Sequence, residues 1–113
     1  MSLIDTIFHT SRTIPVKRNE YTVLSHAMAE VGELAEEVTI SCGESYKTAG
    51  PDGIIGESID SIICLVDMIY VHARNQGFEI TEEQLIEIAK KKLAKWESKC
   101  QQLIISSGVP LTD

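Results

Sequence analysis

Two pairs of carboxylates stand out by their spacing: Glu30 with Glu33, and Glu57 with Asp60. Residues three apart share one face of a helix, so each pair would present its acids side by side. Brought together from antiparallel helices, the four would make a nest of like charges inside a helical core. Such a nest needs a counter-charge. Oxygen donors alone, with no imidazole or thiolate among them, suit a hard octahedral cation, Mg²⁺ with Mn²⁺ as the alternative. Glu30, Glu33, Glu57 and Asp60 are therefore the candidate metal ligands.

The elements that must position these acids read as helices throughout. Leu3, Ile4, Ile7 and Phe8 mark one side of a short N-terminal helix, which Ile14-Pro15 breaks. A first long helix is expected from about Glu20 to about Cys42. Its apolar stripe is Leu24, Ala27, Met28, Val31, Leu34, Ala35 and Val38, with His26, Glu30, Glu33 and Glu37 as a second stripe beside it. Gly43 is placed to end it, and Pro51-Asp52-Gly53 signals a turn. A second long helix, about Ile54 to Asn75, is apolar on most sides, which predicts a central position. Glu57, Asp60 and Asp67 form its narrow acidic stripe, with Cys64 among them.

The third long helix opens on Thr81-Glu82-Glu83-Gln84, the pattern of a capping box. Leu85, Ala89, Leu93, Trp96, Cys100 and Leu103 give it a near-heptad seam suited to a partner helix. Its bases cluster at Lys90, Lys91, Lys92, Lys95 and Lys99, and the tail from Ser106 reads as irregular. The architecture expected is all-α, an antiparallel helical bundle whose four-helix core is completed by oligomerisation.

Bulk properties narrow the function. The 113 residues make one small domain, 1–113, whose modest core favours a homodimer or homotetramer. A net charge of -7 argues against a nucleic-acid polymer as partner, since no basic face dominates. The three cysteines, Cys42, Cys64 and Cys100, have no C-x-x-C spacing and are odd in number, which fits inert thiols in a reducing setting. No apolar run reaches membrane-spanning length and no leader is visible, so the expected location is cytoplasmic, away from any membrane.

An E-x-x-E on one helix is commonly a solvated face. The second pair shifts the balance, because burying an unpaired carboxylate on an apolar helix costs several kcal/mol, roughly, or forces it to take up a proton. Zinc spacing is missing, and neither pair continues into the Glu-x-x-His of di-iron carboxylate bundles.

E-V-G-E-L at Glu30 to Leu34, followed by a loop and G-E-S-I-D at Gly56 to Asp60, resembles the E-x-x-E…E-x-x-D signature of the MazG-like pyrophosphohydrolases. This all-α superfamily includes dimeric dUTPases and dCTP pyrophosphatases. Lys95-Trp96-Glu97-Ser98-Lys99 resembles the Lys-Phe-x-x-Arg segment that ends the core of several relatives, so the likeness spans about Glu20 to Cys100. The resemblance implies hydrolysis of (deoxy)nucleoside triphosphates between the α- and β-phosphates, giving monophosphate and pyrophosphate. By motif matching, Glu30, Glu33, Glu57 and Asp60 become the Mg²⁺ ligands.

Beyond the ligands, Asp67, Lys92, Lys95 and Lys99 are the candidate substrate contacts: the lysines for phosphates, Asp67 for a ribose hydroxyl, the metal shell or a lysine partner. His26 reads as a half-buried packing residue and Trp96 as core or dimer interface. Ala29 departs from the doubled first acid, E-E-x-x-E, of many relatives, which leaves the general base unassigned. Two further functions compete with the general one: a narrow dUTPase or dCTP pyrophosphatase, and a non-catalytic helical module that binds a nucleotide or a protein.

Overall fold

The computed structural model describes residues 1–108, and among them it contains four helices and no strand. The protein is all-α, as the periodicity predicts. In chain order the helices are α1 (Leu3–Arg12), α2 (Glu20–Ser41), α3 (Gly53–Gln76) and α4 (Glu82–Ser107). The boundaries expected for the three long helices agree to within a residue or two. Residues Met1–Glu79 form one compact unit and the described residues from Ile80 onward a second.

Local chemistry sets the helix ends. Ser2 caps α1 by accepting the Asp5 N–H, and Asn19 caps α2 by accepting the Thr22 N–H. Gly77 ends α3 in the left-handed region, where its N–H reaches the Arg74 carbonyl and the Phe78 N–H the Ala73 carbonyl. That pair of bonds is a Schellman motif, which satisfies carbonyls the helix would otherwise leave open.

In the first unit α2 and α1 both pack on α3. Helices α2 and α3 run antiparallel: Glu20 at the start of α2 meets His72 and Asn75 near the end of α3, and Glu30 and Glu33 meet Glu57 near its beginning. Ile7 and Phe8 are the buried apolar residues of α1, and the Phe8 ring lies 5.7 Å from that of Tyr70. Arg12 stands over the same Tyr70 ring at 5.9 Å, within cation–π range.

The face that α2 turns toward α3 differs from the expected apolar stripe. Val23, Ala27 and Glu37 are buried and Glu30 and Leu34 half-buried, while Leu24, Met28, Val31 and Val38 are exposed. The inward line is therefore 23, 27, 30, 34, 37, a seven-residue repeat in which two positions are acids. On α3, Ser61 and Cys64 are buried beside half-buried Glu57, Asp60 and Asp67, whereas Ile55 is 82% exposed and Ile62 42%. The inter-helix seam is thus polar at its centre, and much of the apolar surface of both helices lies outside it.

Helix α4 carries the capping box in full. The Thr81 hydroxyl accepts the Gln84 N–H, and the Gln84 side chain accepts the Thr81 N–H. The helix extends through Ser107, beyond the expected start of the irregular tail at Ser106, and the rest of that tail from residue 109 lies outside the described residues. No helix among the described residues is long and apolar enough to cross a membrane.

Candidate metal centre

Three of the four expected ligands come together across the α2–α3 seam. Glu30, Glu33 and Glu57 each place a carboxylate oxygen within 4.8 Å of the others. Glu57 also belongs to a second triad with Asp60 and Asp52, again within 4.8 Å. Glu57 is therefore the common member of two overlapping groups that contain all four expected acids and one more. Helix periodicity aligns the members within each helix, and the antiparallel pairing brings the two helices' acids face to face.

Burial is graded across the nest. Glu30, Glu57 and Asp60 are half-buried; Glu33 and Asp52 are exposed. Glu30 Oε2 and Glu57 Oε2 are wholly shielded and have no hydrogen-bond partner among the described residues. A charged oxygen so placed is costly unless something compensates it. The Glu57 carboxyl responds as expected, pushed above its ordinary value first by desolvation and then by the charges of Glu33, Asp60, Asp52 and Glu30. Burial likewise raises the Cys64 thiol, helped by Glu30, Asp67 and Asp60, so this cysteine stays protonated and inert. Hard oxygen donors, two of them unpartnered, fit Mg²⁺ or Mn²⁺ and no soft metal.

Asp52 is the acid that spacing alone did not reveal. It precedes α3, its side chain makes no capping bond to the helix, and it reaches the nest only because of the path of the connecting segment. The turn at Pro51-Asp52-Gly53 was legible; the direction of its carboxylate was not.

Asp67 pairs with an arginine. Its Oδ2 accepts from Arg18 Nη1 at 2.6 Å, and its Oδ1 accepts from Arg18 Nη2 at 2.9 Å and from the Ser11 hydroxyl at 2.6 Å. Lys92, Lys95 and Lys99 form an exposed stripe on α4, in the second unit, where Leu93, Trp96 and Leu103 are exposed as well. Trp96, 65% exposed, is therefore not a core residue of its own unit among the described residues. His26 is not the half-buried residue expected: its side chain is 69% exposed, with Nε2 3.6 Å from Glu30 Oε1. It sits one turn before Glu30 but just off the buried line, so its ring stays largely in solvent beside Glu30.

No protein-family model, curated protein or solved structure matches this chain, so the geometry of the acid nest and the motifs around it carry the functional argument.

Proposed function

We propose that this chain is a Mg²⁺-dependent pyrophosphohydrolase of the MazG-like kind, converting (deoxy)nucleoside triphosphates to monophosphate and pyrophosphate. The observation that carries the reading is the pair of shielded, unpartnered oxygens, Glu30 Oε2 and Glu57 Oε2, inside a nest of five carboxylates. A solvated acidic face would leave those atoms in water. Glu30, Glu33, Glu57 and Asp60 would hold the metal, with Mn²⁺ as a substitute. Bound there, the ion would neutralise charge on triphosphate oxygens and lower the pKa of an attacking water. The order E-x-x-E, loop, E-x-x-D supports the same reaction class.

Phosphate contacts from Lys92, Lys95 and Lys99 rest on their charge and exposure. A ribose contact from Asp67 would have to share a carboxylate already held by Arg18 and Ser11. The apolar side chains of α3 outside the seam, Ile55 and Ile62 among them, support assembly into a homodimer or homotetramer in the cytoplasm. Ala29 favours the second reading, a non-catalytic nucleotide- or protein-binding module, because relatives often place an acid there.

The test is product analysis with each common NTP and dNTP and dUTP in Mg²⁺ or Mn²⁺, alongside Asp60→Asn. Monophosphate and pyrophosphate from the wild type, lost in the variant, are expected, and the relative rates separate a broad enzyme from a narrow dUTPase or dCTP pyrophosphatase. Orthophosphate release would place the cleaved bond elsewhere. No turnover of any nucleotide would favour the module.

A further inference from the structure

Glu37 lies two helical turns beyond Glu30 on the buried line of α2, yet it takes no part in either carboxylate triad. It is 9% exposed, and its Oε1 accepts the backbone N–H of Gly50 at 2.7 Å. This bond ties the segment between α2 and α3 to α2, two residues before Asp52. The second tie on that segment, Lys47 to Glu36 at 2.9 Å, is exposed, with half or more of each side chain in water.

Two glycines show how closely this path is packed. A Cβ on Gly50 would lie 2.7 Å from Glu37 Oε1, and a Cβ on Gly56 would lie 2.6 Å from the Asp52 Cβ. A Cβ at Gly50 would force either the Glu37 carboxylate or the segment to shift, and a Cβ at Gly56 would force Asp52 to shift at the first turn of α3. A buried carboxylate acceptor, a donor without a side chain and an open first helical turn together direct Asp52 toward Glu57 and Asp60.

We propose that Glu37 is a positioning residue of the acid nest: by holding the Gly50 N–H it delivers Asp52 as the fifth carboxylate. The inference rests on the metal reading above for its consequence, tighter cation binding, and on the backbone geometry for its cause. Residues that orient a metal ligand without touching the metal themselves typically govern metal affinity by about 10–100-fold.

The experiment is a Mn²⁺ titration of the full chain by electron paramagnetic resonance, with Glu37→Ala, Glu37→Gln, Asp52→Asn and the Glu37→Ala/Asp52→Asn double variant. Glu37→Ala and Asp52→Asn should each weaken Mn²⁺ about tenfold, and the double variant no further than Asp52→Asn alone. Glu37→Gln, whose amide oxygen can still accept the Gly50 N–H, should restore most of the affinity. Loss of charge alone would weaken the Gln and Ala variants equally, and that outcome overturns the proposal. So does a double variant weakened by the product of the two single effects.

Amide exchange and backbone relaxation by NMR keep the cause testable if the wild type binds no Mn²⁺, a result that would remove the metal reading. The Gly50 amide should be protected in the wild type and in Glu37→Gln. In Glu37→Ala it should exchange freely, with increased motion at Asp52. An unprotected Gly50 amide in the wild type, or an Asp52 unmoved by Glu37→Ala, overturns the positioning role whatever the metal does.

Discussion

Arg18 and Asp67 meet in a two-pronged pair, Nη1 to Oδ2 at 2.6 Å and Nη2 to Oδ1 at 2.9 Å, that joins the α1–α2 connection to the middle of α3. Ser11 of α1 donates to the same carboxylate and accepts from Arg18 Nη2 at 3.0 Å, so three segments converge on one anion. Asn75 completes the tie by donating to the Arg18 carbonyl at 2.8 Å. The fork geometry of a guanidinium is what makes this arrangement possible; a lysine could supply the charge but not both prongs.

The side chains of Arg18 and Asp67 are only 21% and 19% exposed, which sets the pair between a surface and a buried ion pair. Arg18→Ala should therefore destabilise the protein by about 1–3 kcal/mol, more than a surface pair and less than a fully buried one. Arg18→Lys should recover only part of that. Urea unfolding measures it; a change below about 0.5 kcal/mol, the usual range of a surface substitution, would show the pair to be incidental.

The acid nest predicts how metal-free stability varies with pH. The Glu57 carboxyl is raised above its ordinary 4.5, by desolvation first and neighbouring acids second. Between that value and its folded one the native state holds more protons than the unfolded chain. The linkage slope is then negative, and this group's contribution to stability falls as pH rises through the window. Glu20 acts in the opposite sense: its carboxyl is lowered, chiefly by the Asn75 side-chain hydrogen bond, so its contribution is present above pH 4.5 and fades below it. Glu57→Gln should stabilise the metal-free protein at neutral pH and flatten the upper part of the profile. Thermal melts from pH 4.5 to 7.5 in chelator test this, and an unchanged profile in the variant would locate the repulsion elsewhere.

Divalent metal should reverse the sign of that penalty. At a free concentration a hundredfold above its Kd, an ion that binds only the folded chain adds about 2.7 kcal/mol, or a rise of several degrees in Tm. Mg²⁺ and Mn²⁺ should both do so for the wild type at neutral pH. Asp60→Asn and Glu57→Gln should melt higher than wild type in chelator yet gain little from either metal. A variant that loses metal-free stability and keeps the metal response would mean its acid serves the fold.

What the sequence made legible, and what it did not, follows the range of the interactions. Helix existence and ends depend on neighbours in the chain, so Thr81 and Gly43 could be read directly. The two acid pairs were legible for the same reason, three residues being one helical neighbour spacing. The inward line of α2 was not, because its repeat includes Glu30 and Glu37, and a search for apolar periodicity passes over positions where a polar group is buried. Asp52 and the Arg18–Asp67 pair depend on backbone path and on side chains 49 residues apart. Asp67 accordingly reads in the sequence as a ribose contact, a metal-shell acid or a lysine's partner, whereas Arg18 and Ser11 hold it.

The capping box at the head of α4 offers a test confined to the second unit. Four N–H groups at a helix start lack partners within the helix, and Thr81 with Gln84 satisfies two donors reciprocally. Thr81→Ala removes the hydroxyl that accepts the Gln84 N–H and should cost about 1 kcal/mol in local helix stability. Gln84→Ala frees the Thr81 N–H and should cost less, because that donor can turn to water. Amide exchange resolves the two: the Gln84 amide should lose protection by about fivefold in Thr81→Ala, the factor that about 1 kcal/mol represents, while amides near the α2–α3 acids stay unchanged. Loss of protection in Thr81→Ala no greater than in Gln84→Ala would show that the hydroxyl contributes nothing to the cap.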